Sequence, residues 1–300
     1  MPFAVELLVP GFGARVVGLD LTREVPEEIA KALRVVWDEA GVILFEGLGT
    51  TPEALLRLSR CFGELEPHPI PAFREPDHPE LIRLGNEKGT LGSVYAFEGT
   101  PTAGRLPWHT DLAYTTRPNR GALLRMVKKP DHAGQTGWAD MAAAYDALDP
   151  ELAREIEGRE GVYVFRSDLD QMRYDPPGVE KLSGKAGDFG SFAPIAVPLV
   201  TPHPDTGRKV LNLSTLNIDG ILGMDRDAGD ALVRRLLDHV KQPHFHYMHD
   251  WQVGDMIAWD NRRMAHCTTG HPPDEIRVVQ RTTIKGTADL GRTLEQEEWQ

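Results

Sequence analysis

Cysteine is scarce in this chain. Its 300 residues include only Cys61 and Cys267, so at most one disulfide can form, which argues against a secreted disulfide scaffold. Positive charge is also in deficit: 33 Lys and Arg against 45 Asp and Glu leave a formal net charge of -12. That balance argues against a nucleic-acid or anionic-membrane partner, so an anionic small molecule must be met by a local group of arginines or lysines. No stretch approaches the ~20 apolar residues of a membrane span. Met1 to Val9 has neither a basic n-region nor a long apolar run, the marks of a secretory signal. The expected location is therefore cytoplasmic and reducing. Internal repeats and low-complexity tracts are missing too.

What is present fits a soluble globular protein, with 41% hydrophobic and 26% charged residues. A chain of this length buries about three quarters of its unfolded surface. A strand is expected at 16–20. A helix follows, opened by Pro26, striped by Ile29, Leu33, Val36 and Trp37, and stopped by Gly41. The apolar run 42–45 reads as a buried strand, and Thr51-Pro52-Glu53 opens a second helix. Further strands are expected at 81–84, 121–127, 161–165, 210–213, 245–251, 256–259 and 276–284. Helical pieces start at Asp140 and at Asp149-Pro150, ending near Gly158, and a longer helix covers 227–240. Residues 85–107 and 166–194 show little periodicity and read as two lid loops. Short strands dominate and do not alternate regularly with helices. The expected architecture is a mainly β jelly roll or barrel with flanking helices, in one domain spanning 1–300.

The chemistry concentrates in Trp108-His109-Thr110-Asp111. A histidine and a carboxylate two residues apart on an extended strand share a face. They can grip one side of a metal ion but need a third ligand. His266, in Trp259-Asp260-Asn261-Arg262-Arg263-Met264-Ala265-His266, is the best candidate. Two histidines and one carboxylate, with the opposite face open, form the arrangement of non-haem Fe(II) oxygenases. Cys267 reads as a small buried filler on the opposite face. In 276–284, Arg277, Val279, Arg281 and Thr283 share one face by period two. Guanidinium groups bind carboxylates in bidentate fashion. If that face lines the metal cavity, Arg277 can anchor a dicarboxylate that chelates the metal, and Arg281 a second anion, the substrate.

With these residues in view, the chain resembles the taurine dioxygenase / 2,4-dichlorophenoxyacetate dioxygenase (TauD/TfdA) family of Fe(II)- and 2-oxoglutarate-dependent oxygenases. The resemblance starts at Gly13-Ala14-Arg15-Val16-Val17-Gly18-Leu19-Asp20-Leu21. It passes through Phe62-Gly63-Glu64-Leu65, the His-x-Asp stretch, Gly134-Gln135-Thr136 with Trp138, and Trp259-Asp260-Asn261-Arg262 with His266, and it ends at Arg281. It implies a double-stranded β-helix (jelly roll), with His109, Asp111 and His266 as iron ligands. It further implies Thr136 and Arg277 on the distal carboxylate of 2-oxoglutarate, beside Trp259. Arg281 and His68 fall at substrate-binding positions, as do Leu112, Tyr114, Phe165 and Asn217. The implied reaction consumes O2, decarboxylates 2-oxoglutarate to succinate and CO2, and hydroxylates a substrate C–H bond. Where the carbon bears a heteroatom, C–O, C–N or C–S cleavage follows. Asp111 stands where related halogenases carry a small residue, so halogenation is not expected.

Departures from the family pattern disfavour taurine itself. Pro71 stands where the taurine enzymes have tyrosine, and no asparagine precedes His109 among Gly104, Arg105, Leu106 and Pro107. The expected substrate is a small-to-medium organic anion. The resemblance also allows a homo-oligomer, dimer or tetramer. Two other classes compete. A zinc-type hydrolase on the same triad leaves Thr136 and both arginines without a role. A non-catalytic jelly-roll binding protein should have an incomplete triad, whereas this chain has all three ligands.

Overall fold

The computed structural model describes residues 3–67, 74–87, 93–174, 178–184, 191–295 and 297–299. In chain order the strands are β1 Ala4–Val9, β2 Phe12–Val17, β3 Val42–Phe45, β4 Leu81–Gly85, β5 Val94–Phe97, β6 Thr100–Ala103 and β7 Leu106–His109. Next come β8 Gly121–Lys128, β9 Thr136–Asp140, β10 Glu160–Tyr163, β11 Val179–Ser183, β12 Ile195–Pro198, β13 Val200–Pro202 and β14 Lys209–Leu211. The last are β15 Ile218–Ile221, β16 His246–His249, β17 Met256–Asp260, β18 Met264–Thr268, β19 Val278–Ile284 and β20 Arg292–Thr293. The helices are α1 Glu27–Ala40, α2 Pro52–Arg60, α3 Met141–Asp146, α4 Pro150–Ile156 and α5 Arg226–Val240.

Local chemistry sets the helix ends. Pro26 precedes α1, and Gly41 stops it at φ 75°, a left-handed conformation open to glycine. Thr51 caps α2, its hydroxyl accepting from the Ala54 N–H at 3.2 Å. Asp140 caps α3 through the N–H groups of Ala142 and Ala143.

Two sheets face each other. The larger has the order β1-β2-β3-β17-β8-β19-β4, and the smaller β16-β9-β18-β7. One face of the larger sheet carries Phe45, Leu123, Ala258 and Ile284 against Leu33 and Trp37 of α1 and Leu55 and Leu58 of α2. Its other face carries Leu44, Leu124, Ile257 and Val279 against Trp138 and Met264 of the smaller sheet. Behind the smaller sheet, α3 and α5 close a further core with β10 and β12. This is a jelly roll with flanking helices, mainly β as expected.

Three expectations are corrected. The edge strand β1 was not anticipated: its residues are mostly exposed, so it lacks a burial pattern. The segments taken as irregular lids contain structure. Residues 85–107 hold the β5–β6 hairpin, and 166–194 hold β11, which pairs with β5. The β5–β11 pairing joins segments far apart in sequence, which local periodicity does not register. Finally, β7 stops at His109, so Asp111 is not on a strand with it.

Candidate metal centre and carboxylate site

His109 ends β7 and His266 sits in β18, directly opposite it in antiparallel register. Their rings lie 4.1 Å apart. Asp111 arrives from the turn after β7, where Leu112 adopts φ 54°, a costly backbone state for a non-glycine residue. One ligand atom each from His109, Asp111 and His266 falls within 4.8 Å of the others, and all three residues are buried.

The protonation states suit a divalent cation. His109 Nδ1 donates to the Pro107 carbonyl at 2.8 Å, leaving Nε2 with its lone pair. Burial lowers the pKa of His109, and burial reinforced by the neighbouring His109 lowers that of His266 much further. Both rings are therefore neutral, the form that ligates metals. Burial works against charge on Asp111, but Arg281 beside it holds the carboxyl below its usual range. Asp111 Oδ1 faces His266 Nε2 at 3.7 Å, while Arg281 grips both carboxylate oxygens, Nη1 to Oδ1 at 3.2 Å. Two neutral imidazoles and one carboxylate thus converge as a compact donor set fitting a first-row divalent metal. Cys267 alternates away from His266 and is buried, its thiol pKa pushed up to about 12 by burial, as expected of a filler.

A second group lies nearby. Arg277, just ahead of β19, is buried and has no carboxylate partner among the described residues. Its Nε donates to the Gly134 carbonyl at 3.0 Å and its Nη2 to Thr136 Oγ1 at 3.1 Å. Burial lowers its pKa to about 10, still a cation at neutral pH. A buried unpaired guanidinium implies an anion to complete it. Trp251 Nε1 also donates to Thr136 Oγ1, at 2.9 Å. The hydroxyl oxygen accepts twice, so its proton is available to an incoming carboxylate. Gly134, at φ 76°, has no room for a side chain: an added Cβ would lie 2.5 Å from Pro130. The Trp259 ring lies 4.9 Å from that of His266 and 5.6 Å from the Arg281 guanidinium, against the metal-ligand group.

The other expected residues separate. Tyr114 packs edge-on against Phe165 at 4.8 Å and Phe192 at 4.9 Å. Burial, then the Asp111 charge, raises its pKa. Leu112 is half-buried beside Asp111. Asn217 is buried; its side chain accepts from the Ser214 hydroxyl in its own turn and donates to the Val164 carbonyl just past β10. His68 lies outside the described residues. Sequence reasoning missed Phe192 and Trp251, for which no local signal existed. It also gave Asn261 no role, although the Trp-Asp-Asn-Arg motif contains it.

The taurine catabolism dioxygenase TauD, TfdA family model matches residues 4–283. An (S)-phenoxypropionate/alpha-ketoglutarate-dioxygenase from Sphingobium herbicidovorans is 29% identical, over 95% of this chain and 95% of that protein. An alpha-ketoglutarate-dependent 2,4-dichlorophenoxyacetate dioxygenase from Cupriavidus pinatubonensis is also 29% identical, over 94% of this chain and 98% of that protein. Among solved structures, a taurine dioxygenase from Burkholderia xenovorans superposes with TM-score 0.78 at 25% identity, covering 98% of this chain and 97% of that one. With matching sequence, fold and buried donor set, this chain belongs to the TauD/TfdA family of dioxygenases.

Proposed function

We propose that residues 1–300 form one catalytic domain that hydroxylates a C–H bond of a small-to-medium organic anion. As an enzyme of its family, the protein is an oxidoreductase using Fe(II), 2-oxoglutarate and O2. The observation that carries the assignment of residues is the buried group of His109, Asp111 and His266. These three hold the iron. When bound, the iron supplies the oxidising chemistry, coupled to decarboxylation of 2-oxoglutarate to succinate and CO2.

The chain's own residues bind, orient and exclude water. Arg277 and the Thr136 hydroxyl receive the distal carboxylate of 2-oxoglutarate, and Trp259 walls that side. Arg281 keeps the Asp111 carboxylate ionised and directed, and offers its charge to the anionic group of the substrate. Tyr114 and Phe165, with Phe192, give an apolar wall for the substrate body. The names of the relatives make aryloxyalkanoic acids the first substrates to try. Hydroxylation at a carbon bearing an ether oxygen yields a hemiacetal, which collapses with C–O cleavage. That outcome is the second reading.

The test is anaerobic addition of Fe(II), then 2-oxoglutarate, to the metal-free protein. A weak visible charge-transfer band is expected. Iron binding without the band would remove the 2-oxoglutarate assignment. Phenol release from a phenoxyalkanoate, with stoichiometric succinate, would establish the cleavage outcome.

A further inference from the structure

Asp111 is held by its backbone. Its N–H donates to Asn261 Oδ1 at 2.8 Å, and its carbonyl accepts from Asn261 Nδ2 at 3.0 Å. One buried side chain, 150 residues away in sequence, thus satisfies both main-chain polar groups of the residue. The same Nδ2 also donates to the Asn119 carbonyl and to Asn119 Oδ1, at 3.2 and 3.1 Å. Asn119 in turn donates from its own Nδ2 to the Gly121 carbonyl at 2.9 Å.

Asn261 stands on a turn with little freedom. On one side, Asp260 accepts from the Arg262 backbone at 2.9 Å and meets His203 Nε2 at 3.0 Å. On the other, Arg263 donates to Asp140 at 3.0 and 2.6 Å and to the carbonyls of Asp38 and Glu39. The turn then continues directly into β18 and His266. It therefore connects to His266 through the chain and to Asp111 through Asn261. Asp111 needs such a tether because β7 has already ended and Leu112 sits in a strained left-handed conformation. Strained backbone persists only where surrounding contacts over-determine it.

We propose that Asn261 is a positioning residue for the metal centre, fixing the distance between the Asp111 carboxylate and His266 from the β17–β18 turn. This rests on the assignment of the three ligands. Partners that orient metal ligands change affinity by about 10–100-fold when removed. The probe is Mn(II) alone, titrated into metal-free protein and followed by loss of the free-ion EPR signal. Asn261→Asp keeps an acceptor for the Asp111 N–H but loses the donor to its carbonyl, and Asn261→Ala loses both. Weaker Mn(II) binding by about 10-fold or more is expected in both, with an altered EPR spectrum of the bound ion. Ser59→Ala is the stability control: it breaks the buried Ser59–Thr282 hydroxyl pair at 2.7 Å, on the helix side of the large sheet. It should lower Tm and leave Mn(II) affinity unchanged.

Asn119→Ala covers the case in which Asn261 variants do not fold. It removes the side-chain support behind Asn261, together with Asn119's own bond to the Gly121 carbonyl, and leaves both Asn261–Asp111 bonds, so a smaller loss of affinity is expected. Wild-type affinity in the folded variants, or an equal loss in Ser59→Ala, would overturn the proposal. Failure of the wild-type protein to bind Mn(II) would instead overturn the ligand assignment beneath it.

Discussion

A guanidinium buried without a carboxylate destabilises the fold that contains it, because desolvation is repaid only by a partner. Arg277 is in that position: among the described residues its side chain has only a carbonyl and a hydroxyl as acceptors. Its retention makes sense if 2-oxoglutarate completes it. Two consequences follow with opposite signs. Arg277→Met should leave the Tm of the ligand-free protein about where it was, or raise it. The same change should weaken 2-oxoglutarate by roughly 1.5–3 kcal/mol, the worth of a hydrogen bond to a charged group. Thermal shift with and without 2-oxoglutarate measures both at once, since ligand stabilisation follows the ratio of concentration to Kd. A large Tm loss with undiminished 2-oxoglutarate binding would make Arg277 a structural residue. Residue types were the legible part of this site. Alternation set Arg277 and Arg281 toward one face; Arg281 meets Asp111 of the donor set, while Arg277 meets Gly134 and Thr136. The position of Asp111 was not legible, because a turn and a distant asparagine set it rather than strand period.

At the scale of elements, pairing between distant segments escaped the sequence. Strand β5 contacts β11 across about eighty residues; β5 is a short apolar run, but β11, Val179–Ser183, is polar and largely exposed and does not announce itself. The link is polar as well: Tyr95 donates to Asp168 at 3.0 Å, Lys181 pairs with the same carboxylate, and the Leu169 N–H reaches the Tyr95 hydroxyl at 3.4 Å. Asp168→Ala should therefore loosen both segments together. Hydrogen exchange at 94–103 and 169–183 should rise in parallel, with β8 and β17 unaffected; a rise in one segment alone would show that they open independently. A second polar tie joins the β3–α2 connection to the β16–β17 turn. Asp255 accepts from Gly47 at 3.1 Å and Gln252 at 2.9 Å, and meets His249 at 3.0 Å. Burial opposes its charge, but these hydrogen bonds, His249 first, hold its pKa below the usual carboxylate value. The folded pKa is thus below the unfolded one, so the stabilisation is complete above about pH 4 and is lost as pH falls through the folded value. The Tm gap between wild type and Asp255→Asn should be widest near neutrality and close in acid. A gap independent of pH would mean that shape, not charge, holds the turn.

For the molecule as a whole, the question is what joins the helix layer to the two sheets. Apolar layering was legible: the stripe of α1 and the runs in β3 and β17 anticipated a helix-on-sheet core. The polar fastener through that core was not, because its members are scattered along the chain. Arg263 reaches the carbonyls of Asp38 and Glu39 at the end of α1, and its guanidinium pairs with Asp140, which also caps α3. Both partners of that pair are almost fully buried. Removing one side of such a pair leaves a charge without compensation, which costs about 3–5 kcal/mol. Arg263→Ala should lower the unfolding free energy by about that amount, measured in urea. Pairing it with Asp140→Asn should recover part of the loss, since the orphaned charge is gone while a cap for α3 remains. If the single variant costs under about 1 kcal/mol, as a surface ion pair would, then apolar packing alone joins the layers. Arg263 would then be a passenger in the turn that carries His266.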